Sequence, residues 1–187
     1  ILNPDGSIYH LNLLPEDISD TIFLVGDPDR VEEVSRYFDK IEIKKQKREF
    51  FSHTGYIGNK RLTCLSTGIG TDNIDIVINE LDALVNMDLQ TRLPKNKLRT
   101  LNLIRIGTCG SLQHDIPIDS FLVSEYGIGL DGLLGFYNFE TSEEDKKFLE
   151  PILPIVKNLG VHPVIAKGSD ILLNNIAKDM RKGVTLT

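Results

Sequence analysis

Three short runs in this chain share a form that could hold an anion. They are Val25-Gly26-Asp27-Pro28-Asp29-Arg30, Ser66-Thr67-Gly68-Ile69-Gly70-Thr71 and Arg105-Ile106-Gly107-Thr108-Cys109-Gly110. Each carries an apolar, strand-like run into a glycine turn followed by polar residues. Glycine lets backbone N–H groups approach a ligand closely. A helix N-terminus adds partial positive charge suited to phosphate. In open α/β sheets, ligands gather at the carboxyl ends of strands. One such turn commonly does no more than shape a βα connection; three in one chain point to a shared cleft. Arg105 is the most informative residue, because it interrupts the apolar run Leu101–Ile106. A guanidinium buried in a strand is costly without an anionic partner. Two partners stay open: an Asp or Glu in a buried ion pair, or a phosphate, which a guanidinium meets with two parallel hydrogen bonds. Arg30 and Thr108 follow the same kind of turn and favour the phosphate.

Other polar residues have ordinary readings when taken alone. His10, in Tyr9-His10-Leu11, reads as a surface or packing histidine. Arg48 lies in a basic stretch with Lys44, Lys45 and Lys47, a pattern common on solvated strand faces, and Glu49 is its neighbour. Gly68-Ile69-Gly70 is no dinucleotide fingerprint, because Asn73 stands where the third glycine should. No lysine-containing phosphate loop is present, so ATP hydrolysis is not expected.

These residues need a scaffold, and the chain supplies alternating patterns. Thr21–Val25, Arg61–Ser66 and Leu101–Ile106 read as buried strands. Ile41–Ser52 and Gly55–Ile57 read as a more exposed, polar pair, and Ser120–Ser124 as a further strand. Asp27 can cap a helix with Pro28 in its first position and an apolar stripe of Val31, Val34 and Phe38. A second helix, capped by Thr71 or Asp72, carries Ile74, Val77, Ile78, Leu81, Leu84 and Val85 at helical spacing. Ser142 to Asp145 forms a helix-start box; Pro151 and Pro154 should break that helix, and Gly160 should end it. Met87–Thr100 reads as an exposed connection, and Gly183–Thr187 as a strand cut short. Strands alternating with helices indicate an α/β fold.

The bulk properties narrow the function classes. The 187 residues are 41% hydrophobic and 26% charged, in keeping with one ordinary globular domain. No apolar run is long enough to span a membrane, and Asn3, Asp5 and His10 interrupt any signal-peptide core. A net charge of −6 argues against general nucleic-acid binding. Cys64 and Cys109 have no metal spacing and read as reduced thiols of a cytoplasmic protein.

In chain order, Tyr9-His10-Leu11, Gly26-Asp27-Pro28-Asp29-Arg30, Arg48-Glu49, Ser66-Thr67-Gly68-Ile69-Gly70, Arg105-Ile106-Gly107-Thr108-Cys109-Gly110 and Leu130-Asp131-Gly132 together resemble the nucleoside phosphorylase family. That family contains uridine phosphorylase and the hexameric purine nucleoside phosphorylases. The resemblance implies a three-layer α/β/α phosphorylase/hydrolase-like fold with a central mixed twisted sheet. It implies a single domain over residues 1–187 with its C-terminal part missing: the base-reading Phe/Gln/Arg group and the ribose-holding Glu-Met-Glu segment are not found. The implied reaction is phosphorolysis of a ribonucleoside to free base and ribose 1-phosphate, through an oxocarbenium-like state. Inorganic phosphate is the co-substrate and no cofactor is required.

The resemblance also assigns residues. Phosphate is held by the Gly26 N–H and the side chains of Arg30, Arg105 and Thr108, with Arg48 lent by a neighbouring subunit. His10 comes from the neighbour too and reaches the ribose 5′-hydroxyl, while Thr108 also contacts the nucleoside and Gly110 lines the base pocket. The partners are thus nucleoside, phosphate and further copies of the chain, as a dimer with shared sites inside a hexamer built as a trimer of dimers. In uridine phosphorylases a glutamate, a backbone carbonyl and a serine bind potassium. Glu49 and Ile69 match the first two, and Asn73 stands in place of the serine. Thr108 resembles uridine phosphorylase and Cys109 the purine type; uridine is the favoured substrate. A non-catalytic phosphate-binding homologue and a nucleosidase are the alternatives, and the arginine set speaks against the second.

Overall fold

A strand's two-residue period decides how the first half of the chain layers itself. In β1 (Thr21–Val25), Ile22 and Leu24 belong to one core while Phe23 and Val25 belong to the other. The computed structural model describes residues 1–187 except for the side chain of Leu159. The chain divides into two compact units, Ile1–Cys109 and Gly110–Thr187.

In the first unit, β1 joins β2 (Lys40–Lys47), β3 (Phe50–Ile57), β4 (Lys60–Ser66) and β5 (Asn102–Ile106) in one sheet of order β2-β3-β4-β1-β5. The β2/β3 and β3/β4 pairs are antiparallel, and β1 runs parallel to both β4 and β5. Helix α1 (Asp29–Ser35) covers one face, packing Val31 against Val25 and Cys64. Helix α2 (Thr71–Asn86) covers the other, packing Val77, Leu81, Leu84 and Val85 with Ile22, Leu24, Phe50 and Leu65. The unit is therefore three layers, α/β/α, around a mixed sheet. Burial pushes the Cys64 thiol up to about 12, so it is an inert core group.

Several details differ from the sequence reading. The β2–β3 pair is not uniformly exposed: β3 is an interior strand under α1, and Ser52, His53, Thr54 and Gly55 are buried. Helix α1 starts at Asp29, one residue late, although Asp27 still caps it by accepting the Asp29 N–H at 3.0 Å. Helix α2 is preceded by Gly70, at φ 98°, rather than capped by Thr71 or Asp72. The 87–100 connection is tied down. The Asp88 carboxylate accepts from the Gln90 and Thr91 amides, Lys95 Nζ donates to the Leu84 and Val85 carbonyls at the end of α2, and Arg99 pairs with Asp20.

One buried group makes stability depend on pH. His53 is 1% exposed; its Nδ1 lies 2.7 Å from Ser35 Oγ, and its Nε2 has no hydrogen-bond partner among the described residues. Burial, helped by Lys44, pushes its pKa below the ordinary 6.5, with Glu32 opposing. Because the unfolded chain then takes up this proton first, stability is full above roughly pH 6.5 and is lost as pH falls from there through the lower folded pKa. Urea unfolding at about pH 7.5 and about pH 5 should show this loss, and His53→Leu should reduce it. An unchanged slope in the variant would assign the loss to other groups.

In the second unit, β6 (Leu122–Gly129) is flanked by antiparallel β7 (Val164–Lys167) and parallel β8 (Arg181–Leu186). The expected strand over Ser120–Ser124 begins later and continues through Gly127 and Gly129, because pairing on both sides holds those glycines extended. Helix α3 (Glu143–Leu149) is capped by Ser142, whose Oγ accepts the Asp145 N–H at 3.1 Å. It ends before Pro151; α4 (Leu153–Val156) follows, and Gly160 sits left-handed at φ 67°. The strand β7 and helix α5 (Asp170–Ile176) had no counterpart in the sequence reading. No described helix is long and apolar enough to cross a membrane.

Candidate anion-binding site

The strand registers bring the chemistry-bearing turns of the first unit to one edge of its sheet. Val25 is level with both Ser66 and Ile106, and Ser52 is level with Leu65. The Arg48-Glu49 turn, Thr67-Gly68, Gly26 and Gly107 therefore lie in that order along the carboxyl edge. Three bonds stitch it together. Thr67 donates through its N–H and Oγ1 to the Val25 carbonyl at 2.8 and 3.2 Å, and Ser66 Oγ donates to the Glu49 carbonyl at 2.5 Å.

Arg105 is exposed, not buried, which corrects the sequence reading. The reason is topological: β5 is an edge strand in its sheet, paired there with β1 alone. The buried ion pair is also absent, since Arg105 has no carboxylate partner among the described residues. Instead its guanidinium lies over two glycine turns. A Cβ at Gly107 would stand 2.9 Å from Arg105 Nη1, and a Cβ at Gly26 would stand 3.7 Å from Nη2. Gly107 thus clears the space the guanidinium occupies, a role that the spacing alone did not reveal.

The pairing pattern singles out the same arginines. Arg61, Arg99 and Arg181 meet Glu42, Asp20 and Asp115. Arg30, Arg48 and Arg105 have no such partner among the described residues. Arg36 and Arg92 lack one too, but Arg36 lies over the Tyr37 ring and Arg92 sits in the 87–100 connection. Arg30 is in the first turn of α1, directly after the Gly26 turn, and Thr108 is exposed one residue past Gly107. Unpaired cations beside glycine turns can take an oxyanion without first breaking an internal ion pair. Arg48 occupies the β2–β3 turn at φ 55°, about 10 Å from the β1 end by two strand spacings. Gly110 begins the second unit. A small apolar hollow beside α2 lies elsewhere, at Asn86, Arg99 and Leu101 near the start of β5.

His10 is no free surface residue. Its Nδ1 lies 2.7 Å from Glu80 Oε1, and the backbone N–H groups of His10 and Leu11 also donate to the Glu80 carboxylate. Sequence reasoning missed Glu80. The signal was an acidic residue inside the apolar stripe of α2, between Val77 and Leu84.

Glu49, Ile69 and Asn73 do come together. A Cβ at Gly68, whose φ is +69°, would stand 2.6 Å from Asn73 Nδ2 and 2.8 Å from Glu49 Cγ. Asn73 Nδ2 donates to the Ile69 carbonyl at 3.2 Å, which leaves that oxygen a second lone pair.

Comparison with known proteins identifies the family. A family model described as the Phosphorylase superfamily matches residues 20–182. A DeoD-type purine nucleoside phosphorylase of Thermoanaerobacter sp. (strain X514) is 32% identical over 116 residues, 62% of this chain and 44% of the relative. A uridine phosphorylase of Haemophilus influenzae is 32% identical over 129 residues, 68% of this chain and 46% of the relative. The matches therefore span less than half the length of these curated relatives. A crystal structure of a Trypanosoma brucei nucleoside phosphorylase, described as showing uridine phosphorylase activity, superposes with a TM-score of 0.84 at 26% identity, covering 100% of this chain and 67% of that one.

Proposed function

Because this chain belongs to the Phosphorylase superfamily, we propose that the full-length protein cleaves a ribonucleoside with inorganic phosphate, giving free base and ribose 1-phosphate. The observation that carries this reading is the Arg105 guanidinium, unpaired and laid over the Gly26 and Gly107 turns. A phosphate there accepts from Arg105 and Arg30, the Gly26 N–H and Thr108. Held in place, one phosphate oxygen forms the bond to the anomeric carbon as the bond to the base nitrogen breaks. The bonding pair leaves with the base, which takes up a proton. Phosphate is a modest nucleophile, so positioning and charge stabilisation supply most of the acceleration. The fixed negative charge also stabilises the oxocarbenium-like sugar.

Arg48 and His10 serve the site of a neighbouring copy in this reading, as a dimer within a hexamer; Arg48's distance along the edge from Gly26 favours that division. Gly110 lines the base pocket through its backbone. Thr108 and the Trypanosoma brucei likeness favour uridine as the substrate. A purine nucleoside is the second reading, favoured by Cys109 and the DeoD-type relatives. Two unbonded thiols suit a reducing compartment such as the cytoplasm.

Purified full-length protein incubated with uridine or inosine, with and without phosphate, tests this directly by chromatography of the products. Uracil and ribose 1-phosphate should form only when phosphate is present. Preferential release of hypoxanthine would move the substrate to the purine class. Cleavage without phosphate would make the protein a nucleosidase, and no cleavage of either nucleoside would leave a binding protein.

A further inference from the structure

We infer that Glu80 is a positioning residue: it fixes which nitrogen of His10 carries the proton, and so presents His10 Nε2 as an acceptor to the ribose. The inference rests on the phosphorylase reading for the ribose, but its geometric half stands alone. Glu80 sits on α2, 70 residues from His10, with its side chain 14% exposed. Its carboxylate gathers one segment of the N-terminal arm. Oε2 accepts the backbone N–H of His10 at 3.0 Å and of Leu11 at 2.9 Å, while Oε1 shares the His10 N–H at 3.1 Å and faces His10 Nδ1 at 2.7 Å. An ionised carboxylate can only accept. Nδ1 must therefore carry hydrogen, and the neutral ring leaves its lone pair on Nε2, where no described residue bonds it.

The arm around the ring is held equally firmly. Lys47 Nζ donates to the Tyr9 carbonyl at 2.5 Å and to Asn3 Oδ1 at 2.8 Å, and lies 3.9 Å from the Tyr9 ring centroid. The rings of Tyr9 and Phe50 meet the imidazole edge to face at 4.9 and 6.4 Å. A carboxylate at one ring nitrogen orients the imidazole and fixes which nitrogen carries hydrogen. That suits accepting a hydrogen bond from a hydroxyl such as the ribose 5′-OH.

Glu80→Gln separates this role from simple anchoring. The Leu11 N–H, bonded to Oε2 alone, requires the amide oxygen there, where the His10 N–H can also reach it, so the amide NH2 falls opposite Nδ1. The imidazole then has to accept at Nδ1 and carry its proton on Nε2. Two-bond ¹⁵N–¹H spectra of full-length protein labelled at histidine, recorded across a pH series, read the tautomer; His10→Ala assigns the signals. The wild type should show the Nδ1–H form and Glu80→Gln the Nε2–H form. With nucleoside, Glu80→Gln should raise KM roughly fivefold, leave the phosphate KM unchanged, and leave KM for the 5′-deoxynucleoside unchanged. An Nε2–H ring in the wild type overturns the inference without any variant. So does an unchanged tautomer in folded Glu80→Gln, or an equal rise of KM for both nucleosides. A wild type that cleaves no nucleoside sinks the phosphorylase reading instead, while the tautomer still decides Glu80's hold on His10.

Discussion

Arg105→Ala in the full-length protein should raise the phosphate KM at least about 100-fold and leave the unfolding midpoint unchanged. The first half follows from bond strength. A guanidinium fork on phosphate makes two charge-assisted hydrogen bonds, each worth about 1.5–3 kcal/mol. Losing both costs about 3–6 kcal/mol, and each 1.4 kcal/mol is about tenfold. The second half follows from exposure. Arg105 has no carboxylate partner among the described residues and sits on an edge strand, so truncation strands no buried charge. Exposed positions of this kind typically move stability by no more than about 0.5 kcal/mol. Arg105→Lys keeps the charge without the fork and should fall between, at about tenfold. Isothermal titration with phosphate, beside steady-state kinetics, reads the loss without depending on the nucleoside. Unchanged phosphate affinity in a folded variant would remove Arg105 from the site. Mixing Arg105→Ala with Arg48→Ala subunits tests the division of labour: a shared site should recover activity in mixed oligomers, and a site within one chain should not.

The largest stability effect is expected at Gly55, away from the anion edge. Gly55 lies in β3 opposite Ile41, where the β2–β3 register shifts between Ile41 and Ile43. A Cβ at Gly55 would stand 2.1 Å from the Lys40 carbonyl oxygen, 2.9 Å from Phe38 Cδ2 and 3.0 Å from Ile41 Cα. Two of these atoms are backbone, so no rotamer change relieves the overlap and the strands have to separate. Gly55→Ala should therefore cost about 3 kcal/mol or more. For a chain of this size that lowers Tm by about 6–12 °C. Gly135→Ala is the matching control, since a Cβ there meets nothing within 4 Å and the residue has no positive φ. Equal melting temperatures for the two variants would show that β2 yields at Lys40 more easily than its pairing implies.

Much of the local structure was legible because its signals are local. The alternation of Thr21–Val25, the stripe from Ile74 to Val85, the Asp27 and Ser142 caps and the left-handed Gly160 each depend on residues within a few positions of one another. The ordered glycine turns likewise pointed to a shared sheet edge, and the strand registers bring Gly26, Gly68 and Gly107 to one. Periodicity reports which neighbours share a face, but it does not say whether another strand closes that face. The same apolar pattern therefore gave a buried β4 and an exposed edge β5, and the Arg105 expected in the core lies in solvent. For the same reason β3, with Ser52, His53 and Thr54 in mid-strand, is interior: α1 and two neighbouring strands cover it.

The remaining decisions belonged to the tertiary structure alone. Glu80 meets His10 because the N-terminal arm packs on α2, and nothing in either segment specifies the other. Arg105 lies over Gly26 because β1 and β5 run parallel and end level. The sequence by itself determined that the chain carries three strand-to-glycine turns with Arg30, Arg105 and Thr108 beside them. Sheet order and arm packing decided which turns share an edge, which cations stay free and which histidine nitrogen faces outward, because those depend on surfaces that only folding brings together.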